Sequence, residues 1–192
     1  MLLLMQKSAI VIPCYNESER LQSDKFLHFL HSNPGIDIYF VDDSSSDSTP
    51  ELLKNIKHHC PNQTFVLRHE HNKGKAAAVR TGMLAIVAKK EYEYAGYLDA
   101  DLSASLEVYN ELYEKACFLE LDYIFGSRIK MMNTEIKRSW FRHFAGRVIA
   151  TLIDNRFKLG IYDTQCGAKC FRAKLLQPIF NDPFNVNWLF AD

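Results

Sequence analysis

Residues 8–17 read SAIVIPCYNE. Ala9, Ile10, Val11 and Ile12 form an unbroken apolar run, the pattern of a strand buried on both faces. Pro13 has no backbone N–H and breaks the run, and Tyr15-Asn16-Glu17 turns the chain polar at the strand's carboxyl end. A strand of this kind belongs in the middle of a parallel sheet, so the rest of the chain should supply helices to cover it.

It does. A helix is expected over 19–31, with Leu21, Phe26, Leu27 and Leu30 on one side, then a strand over 36–41 and an acidic, serine-rich loop over 42–48. Ser48-Thr49-Pro50-Glu51 has the form of a capping box with proline in the first turn, so the next helix should run to about His59. A strand over 64–68, a turn at Asn72-Lys73-Gly74 and a helix over the alanine-rich 75–89 follow. The strand over 94–98 ends in Asp99-Ala100-Asp101; a helix over 105–119, a strand over 122–126, a long basic helix over about 137–157 and a strand over 168–171 complete the chain. This alternation predicts an α/β fold: a mostly parallel central sheet with helices on both faces. Ligands bind such sheets in the crevice beyond the carboxyl ends of the strands. The polar clusters Tyr15-Asn16-Glu17, Asp42-Asp43 and Asp99-Ala100-Asp101 all fall there.

The 192 residues suit a single domain with a substantial core. At 47% hydrophobic and 24% charged, the chain is neither disordered nor fibrous. Lysines and arginines number 23 and acids 23, and the zero balance argues against a general nucleic-acid binder. That zero is a cancellation. Residues 91–127 carry nine acids against Lys115 alone, and residues 128–158 carry eight bases against Glu135 and Asp154. The five cysteines have no metal-ligand spacing and suit reduced thiols in the cytosol. No apolar run approaches the length of a membrane span, and Met1-Leu2-Leu3-Leu4-Met5 lacks the basic start of a signal peptide.

Two constellations carry chemistry. Asp99 and Asp101, one residue apart at a strand end, can grip a hard divalent cation such as Mg2+ or Mn2+, with water and substrate phosphates completing its shell; the plain alternative is a capped turn. With Asp42 and Asp43 nearby, four carboxylates would repel one another unless a cation or hydrogen-bond donors compensate. Asn72-Lys73-Gly74-Lys75 opens a helix whose free N–H groups suit a phosphate. No glycine-rich loop of the ATPase or dehydrogenase type occurs.

In this order and spacing, IVIPCYNE (10–17), VDDSSSDST (41–49), NKGKAAAVRTGM (72–83), LDADLS (98–103), FGSR (125–128) and DTQCGAKCF (163–171) resemble the family 2 glycosyltransferases, and among them the dolichyl- or polyprenyl-phosphate glucose and mannose synthases. The resemblance implies a GT-A, Rossmann-like fold and an inverting, metal-dependent transfer of a hexose from UDP-glucose or GDP-mannose to a polyprenyl phosphate. It implies that Pro13, Tyr15, Asn16, Glu17, Asp43, Lys75 and Asp99 bind the nucleotide sugar, and that Asp99 and Asp101 hold Mg2+ or Mn2+. Arg128, Arg138 and Arg142 would receive the acceptor phosphate, and Asp163, Gln165 and Arg128 would stand at the reacting centre. Two positions depart from the family pattern: Ser103, where some relatives have glutamine, and Ala168, where phenylalanine is common.

Arg138 and Arg142 stack four residues apart on the basic helix, beside a row of Trp140, Phe144, Val148 and Leu152, which suits peripheral contact with the cytoplasmic face of a membrane. The same row could equally be core or a homo-oligomer face. The chain stops at Trp188-Leu189-Phe190-Ala191-Asp192, where related enzymes continue, so the expectation is one catalytic domain over 1–192 lacking a native C-terminal region. A glycan-elongating transferase with a sugar-hydroxyl acceptor, a sugar nucleotidyltransferase and a non-catalytic nucleotide-sugar-binding domain remain open alternatives.

Overall fold

The computed structural model describes residues 7–126 and 166–184. The helix expected over 137–157 lies outside the described residues, as do Arg128, Arg138, Arg142, Asp163 and Gln165. The elements run β1 (Ser8–Cys14), α1 (Ser23–Ser32), β2 (Ile36–Asp42), α2 (Thr49–His59), β3 (Thr64–Arg68), α3 (Lys75–Lys89), β4 (Tyr94–Tyr97), α4 (Leu106–Phe118), β5 (Tyr123–Phe125), β6 (Lys169–Arg172) and a short α5 (Leu176–Phe180).

The sheet order is β3-β2-β1-β4-β6-β5. β1 pairs in parallel with β2 and β4, and β2 with β3. The chain thus builds outward from β1 to β3, then returns to add β4 on β1's other side. The crevice between the carboxyl ends of β1 and β4 is therefore a topological switch point, the usual place for a ligand in an open α/β sheet. β6 inserts between β4 and β5, antiparallel to both. That insertion carries Gly167 to the carboxyl end of β4.

Every residue of β1 and β2 is buried, as the apolar run of residues 9–12 requires. Side chains alternate between two cores. Ile10, Ile12, Ile38 and Phe40 meet α1, α2 and α4 through Phe26, Leu30, Leu53, Ile56, Leu106 and Tyr109. Ala9, Val11, Tyr39 and Val41 meet α3 and α5 through Val79, Met83, Ile86, Leu176 and Phe180. Each such aliphatic or aromatic side chain contributes about 1.5–3 kcal/mol by leaving water. Small residues let α3 lie close to the sheet: a methyl group added at Gly82 would sit 2.5 Å from Val11 Cγ1.

Two local expectations change. α1 starts at Ser23, four residues later than the expected helix start, because residues 17–21 fold into a turn in which Glu17 C=O accepts from the Arg20 and Leu21 N–H groups. The capping box does not form: Ser48 makes no side-chain cap. Asp47 instead accepts from Thr49 N at 2.9 Å, and the Thr49 hydroxyl accepts from Glu17 N at 2.8 Å. Both groups are recruited to hold the β1–α1 loop against the serine-rich loop.

Candidate active site

The cleft at the switch point has a volume of about 530 Å³, within the range of sites for small organic ligands. Three strand ends and one helix start build it. β1 supplies Pro13, Cys14, Tyr15 and Glu17; β2 supplies Asp43; the start of α3 supplies Gly74 and Lys75; β4 supplies Asp99 and Asp101. Seven of the residues expected at the nucleotide and metal sites thus share one cavity.

The loops after β1, β2 and β4 each hold one non-glycine residue with positive φ: Asn16 at 51°, Ser44 at 64° and Leu102 at 53°. Left-handed backbone of this kind persists where surrounding bonds over-determine it, often at functional sites. Here those bonds are visible. Asn16 N donates to Ser45 Oγ at 3.0 Å, Asn16 Oδ1 accepts from Ser46 N at 2.9 Å, and Ser18 N donates to Asp47 at 3.0 Å. Asn16 therefore shapes the loop rather than lining the cleft.

The four carboxylates are compensated one by one. Asp42 is buried, accepts from Ser45 N at 2.9 Å and pairs with Arg68 at 3.2 Å. Asp43 is also buried; its Oδ1 accepts from His69 Nδ1 at 2.6 Å and Lys73 N at 2.9 Å, and its Oδ2 from Gly74 N at 2.8 Å. Asp99 Oδ1 pairs with Lys75 Nζ at 2.8 Å. Asp101 is exposed and accepts from Ser103 N at 2.9 Å. Hydrogen-bond donors or cationic side chains thus stand against each of the four.

Among the described residues, no group of three or more histidine, cysteine or acidic side chains is poised to hold a metal. The donor set of Asp101 and Asp99 nonetheless fits Mg2+ or Mn2+ at a phosphate site, since such ions commonly take one or two carboxylates and draw the rest from substrate and water. Of the two, Asp101 is the freer ligand, because Asp99 already has Lys75 as its counter-ion.

α3 starts uncapped by any side chain, behind Gly74 at φ 88°. Its positive end and Lys75 together offer a seat for a phosphate, with a helix terminus worth about 0.3–1 kcal/mol to an anion. Burial raises the Glu17 carboxyl above the ordinary range; Arg20, 3.0 Å away, lowers it and the negative charge of Asp101 raises it further. Burial pushes the Cys14 thiol well up, with Glu17 and Asp42 adding to it, so Cys14 is a protonated wall residue and no nucleophile.

Two residues, Arg20 and His69, emerge that the sequence reading did not single out. Arg20 lines the cleft and is held by Glu17 three positions earlier, a spacing that could have flagged it. Asn72 lines the cleft beside Gly74. His69 is buried, and its partners are 26 and 12 positions away, so no local signal could have found it. Gly167 packs directly on Asp99, which brings the middle of the 163–171 string beside the cleft.

The profile of the family described as glycosyl transferase family 2 matches residues 9–180. A dolichyl-phosphate beta-glucosyltransferase of Dictyostelium discoideum is 29% identical over 95% of this chain and 59% of that protein. One from Saccharomyces cerevisiae is 32% identical, again over 95% of this chain and 59% of its own length. The chain thus spans about three fifths of the length of these curated relatives. Among solved structures, a Pyrobaculum calidifontis mannosyltransferase in complex with GDP-Man and Mn2+ superposes with TM-score 0.61 at 18% identity, covering 94% of this chain and 48% of that one. A glucosyl-3-phosphoglycerate synthase of Mycobacterium tuberculosis with Mn2+, UDP and phosphoglyceric acid gives TM-score 0.63 at 15% identity, covering 88% and 57%. The two structures share the GT-A arrangement of sheet and helices with this chain.

Proposed function

Because the chain belongs to glycosyl transferase family 2, we propose that it moves a hexose from a nucleotide sugar to a polyprenyl phosphate, with inversion at the anomeric carbon. The observation that carries the reading is the cleft itself: one cavity in which Lys75 and the uncapped start of α3 face Asp99 and Asp101. Lys75 and the helix terminus bind the diphosphate. Pro13, Tyr15, Glu17 and Asp43 form the wall against which the nucleoside lies. Asp101, with Asp99, would hold Mg2+ or Mn2+, which when bound offsets the charge on the departing nucleoside diphosphate.

The acceptor half of the proposal rests on the basic stretch of sequence and on the relatives named dolichyl-phosphate beta-glucosyltransferase, which also favour glucose over mannose. Arg128, Arg138 and Arg142 are the groups we assign to the acceptor phosphate, with Asp163 and Gln165 beside the reacting centre. A phosphate monoester is anionic at neutral pH, so it attacks with little help from a general base. Bringing two anions together is then the main task, and fixed positive groups perform it. No helix among the described residues is long and apolar enough to cross a membrane. We assign membrane contact to the aromatic, basic stretch 137–157, at the cytoplasmic face.

The test is incubation with radiolabelled UDP-glucose or GDP-mannose and polyprenyl phosphate in the presence of Mn2+. A labelled lipid that is labile to mild acid supports the proposal. Label appearing only in a sugar oligomer refutes the lipid acceptor and supports a glycan-elongating enzyme. In parallel, Asp101→Ala should abolish the Mn2+-dependent part of UDP binding in calorimetry, and unchanged binding would refute the metal assignment.

A further inference from the structure

His69 closes β3 at the back of the cleft and does not line it. It is buried, and both ring nitrogens are engaged: Nδ1 donates to Asp43 Oδ1 at 2.6 Å, and Nε2 meets the Thr81 hydroxyl of α3 at 2.9 Å. Its backbone N–H donates to Asp42 C=O at 2.9 Å, fixing it to the end of β2. With the proton on Nδ1, Nε2 accepts from the Thr81 hydroxyl. Carboxylate, imidazole and hydroxyl stand in the order of a hydrolytic triad, yet neither His69 nor Thr81 lines the cleft, so the row is not placed to act on a ligand bound there. The row does something else.

What Asp43 holds explains it. Its remaining bonds go to the N–H groups of Lys73 and Gly74, the two residues before α3. Gly74 takes a left-handed φ of 88°, and Lys75 follows at once, its Nζ 2.8 Å from Asp99. Asp43 is thus the fixed post to which the phosphate-facing loop is tied. His69 supplies the shortest of its three bonds and, through Thr81, locks it to α3 itself.

We propose that His69 is a positioning residue of the cleft: by holding the Asp43 carboxylate against the Lys73 and Gly74 amides, it sets where Lys75 and the start of α3 meet a nucleoside diphosphate. The proposal rests on the nucleotide-binding reading of the cleft for its consequence, but not for its geometry. A buried carboxylate that loses a charge-assisted donor must re-aim its oxygens or draw in water. Either response loosens the two amides it restrains.

Three variants test this. His69→Ala removes both bonds. His69→Asn returns an N–H near the position of Nδ1, whereas His69→Gln places its amide nearer Nε2, where it serves Thr81 and not Asp43. In the ligand-free protein, amide hydrogen exchange at Lys73 and Gly74 should speed up about tenfold or more in His69→Ala and His69→Gln, and stay near wild type in His69→Asn. UDP affinity in the presence of Mn2+ should fall about tenfold in the first two and no more than about threefold in the third. A merely structural histidine would lower the melting temperature of all three without this ranking. Wild-type protection of both amides in His69→Ala overturns the proposal, as does equal loss of UDP affinity in His69→Asn and His69→Gln. Should His69→Ala fail to fold, the Asn and Gln pair makes the same comparison. If the wild-type protein binds neither UDP nor GDP, the nucleotide reading falls, and amide exchange alone upholds or overturns the positioning role.

Discussion

Gly167 packs against the Asp99 carboxylate, and Gly167→Ala separates the integrity of the cleft from the stability of the fold. A methyl carbon at this position would lie 2.6 Å from Asp99 Oδ2, 2.8 Å from Cγ and 3.1 Å from Oδ1. Carbon contacts are comfortable at about 3.5 Å or more, so the carboxylate must retreat by roughly 1 Å. The obstructed atoms are the tip of a side chain, which can rotate away, so overpacking should cost near the lower end of the usual range, about 1 kcal/mol. Among the described glycines only Gly74 has positive φ, so Gly167 sits in backbone space open to alanine. Restricting the unfolded chain then returns about 0.4–1 kcal/mol. The net stability change is close to zero, with the melting temperature moving by less than about 4 °C.

The cleft fares worse. Asp99 Oδ1 lies 2.8 Å from Lys75 Nζ, with the two side chains 21% and 30% exposed. A retreat of about 1 Å breaks that close ion pair, and charge-assisted contacts are worth about 1.5–3 kcal/mol. Partial exposure argues for the lower part of that range. Nucleotide affinity with Mn2+ should therefore fall about tenfold to thirtyfold. Titration calorimetry with UDP, alongside scanning calorimetry of the free protein, reads both quantities. UDP affinity within about twofold of wild type would refute the reasoning. So would a loss of affinity that merely tracks a melting temperature lowered by about 8 °C or more.

Gly96→Ala should give the opposite outcome. Its added methyl group would run into the Lys169 carbonyl oxygen and lie 2.5 Å from a Tyr109 ring carbon. Neither the backbone of β6 nor a fully buried ring can give way, so the β4–β6 pairing should be lost at about 3 kcal/mol or more, read as insoluble expression or a greatly lowered melting temperature. Asp47 makes the acid side of stability testable. Burial would raise its carboxyl, but hydrogen bonds from Ser18 and Thr49 outweigh it and hold the folded-state value well below the ordinary range. A depressed folded-state value gives stability that is present above the unfolded value of about 3.9 and is lost as pH falls through the folded one. Asp47→Asn should be less stable than wild type at pH 7 and lose less stability on acidification; parallel pH profiles in chemical denaturation would contradict the assignment.

The strands and helices of residues 7–126 were largely legible because their signals are local. An unbroken apolar run marks a doubly buried strand, and an alanine-rich stretch behind a glycine marks a close-packed helix. Expectation and structure part where a side chain's partner is remote. Ser48 resembles a helix cap in sequence but makes none, and the Thr49 hydroxyl beside it accepts from the backbone N–H of Glu17, 32 positions away. His69 faces the same difficulty in reverse: it sits in no motif and acquires meaning only from the carboxylate it holds, 26 positions away.

By itself the sequence placed carboxylates at the ends of β1, β2 and β4 and an uncapped helix start among them, since strand alternation sends those ends to one edge of the sheet. Which carboxylates remain open to a ligand was decided only by the tertiary structure. Asp42 is spent on Arg68 and Ser45, Asp43 on His69 and the Lys73-Gly74 amides, and Asp99 is balanced by Lys75, leaving Asp101 exposed. The reason is physical. A buried charge must be matched by donors within about 3 Å, and which donors come that close depends on sheet order, on the insertion of β6 and on the approach of α3. Those are settled by packing between segments far apart in the chain, which no local pattern encodes.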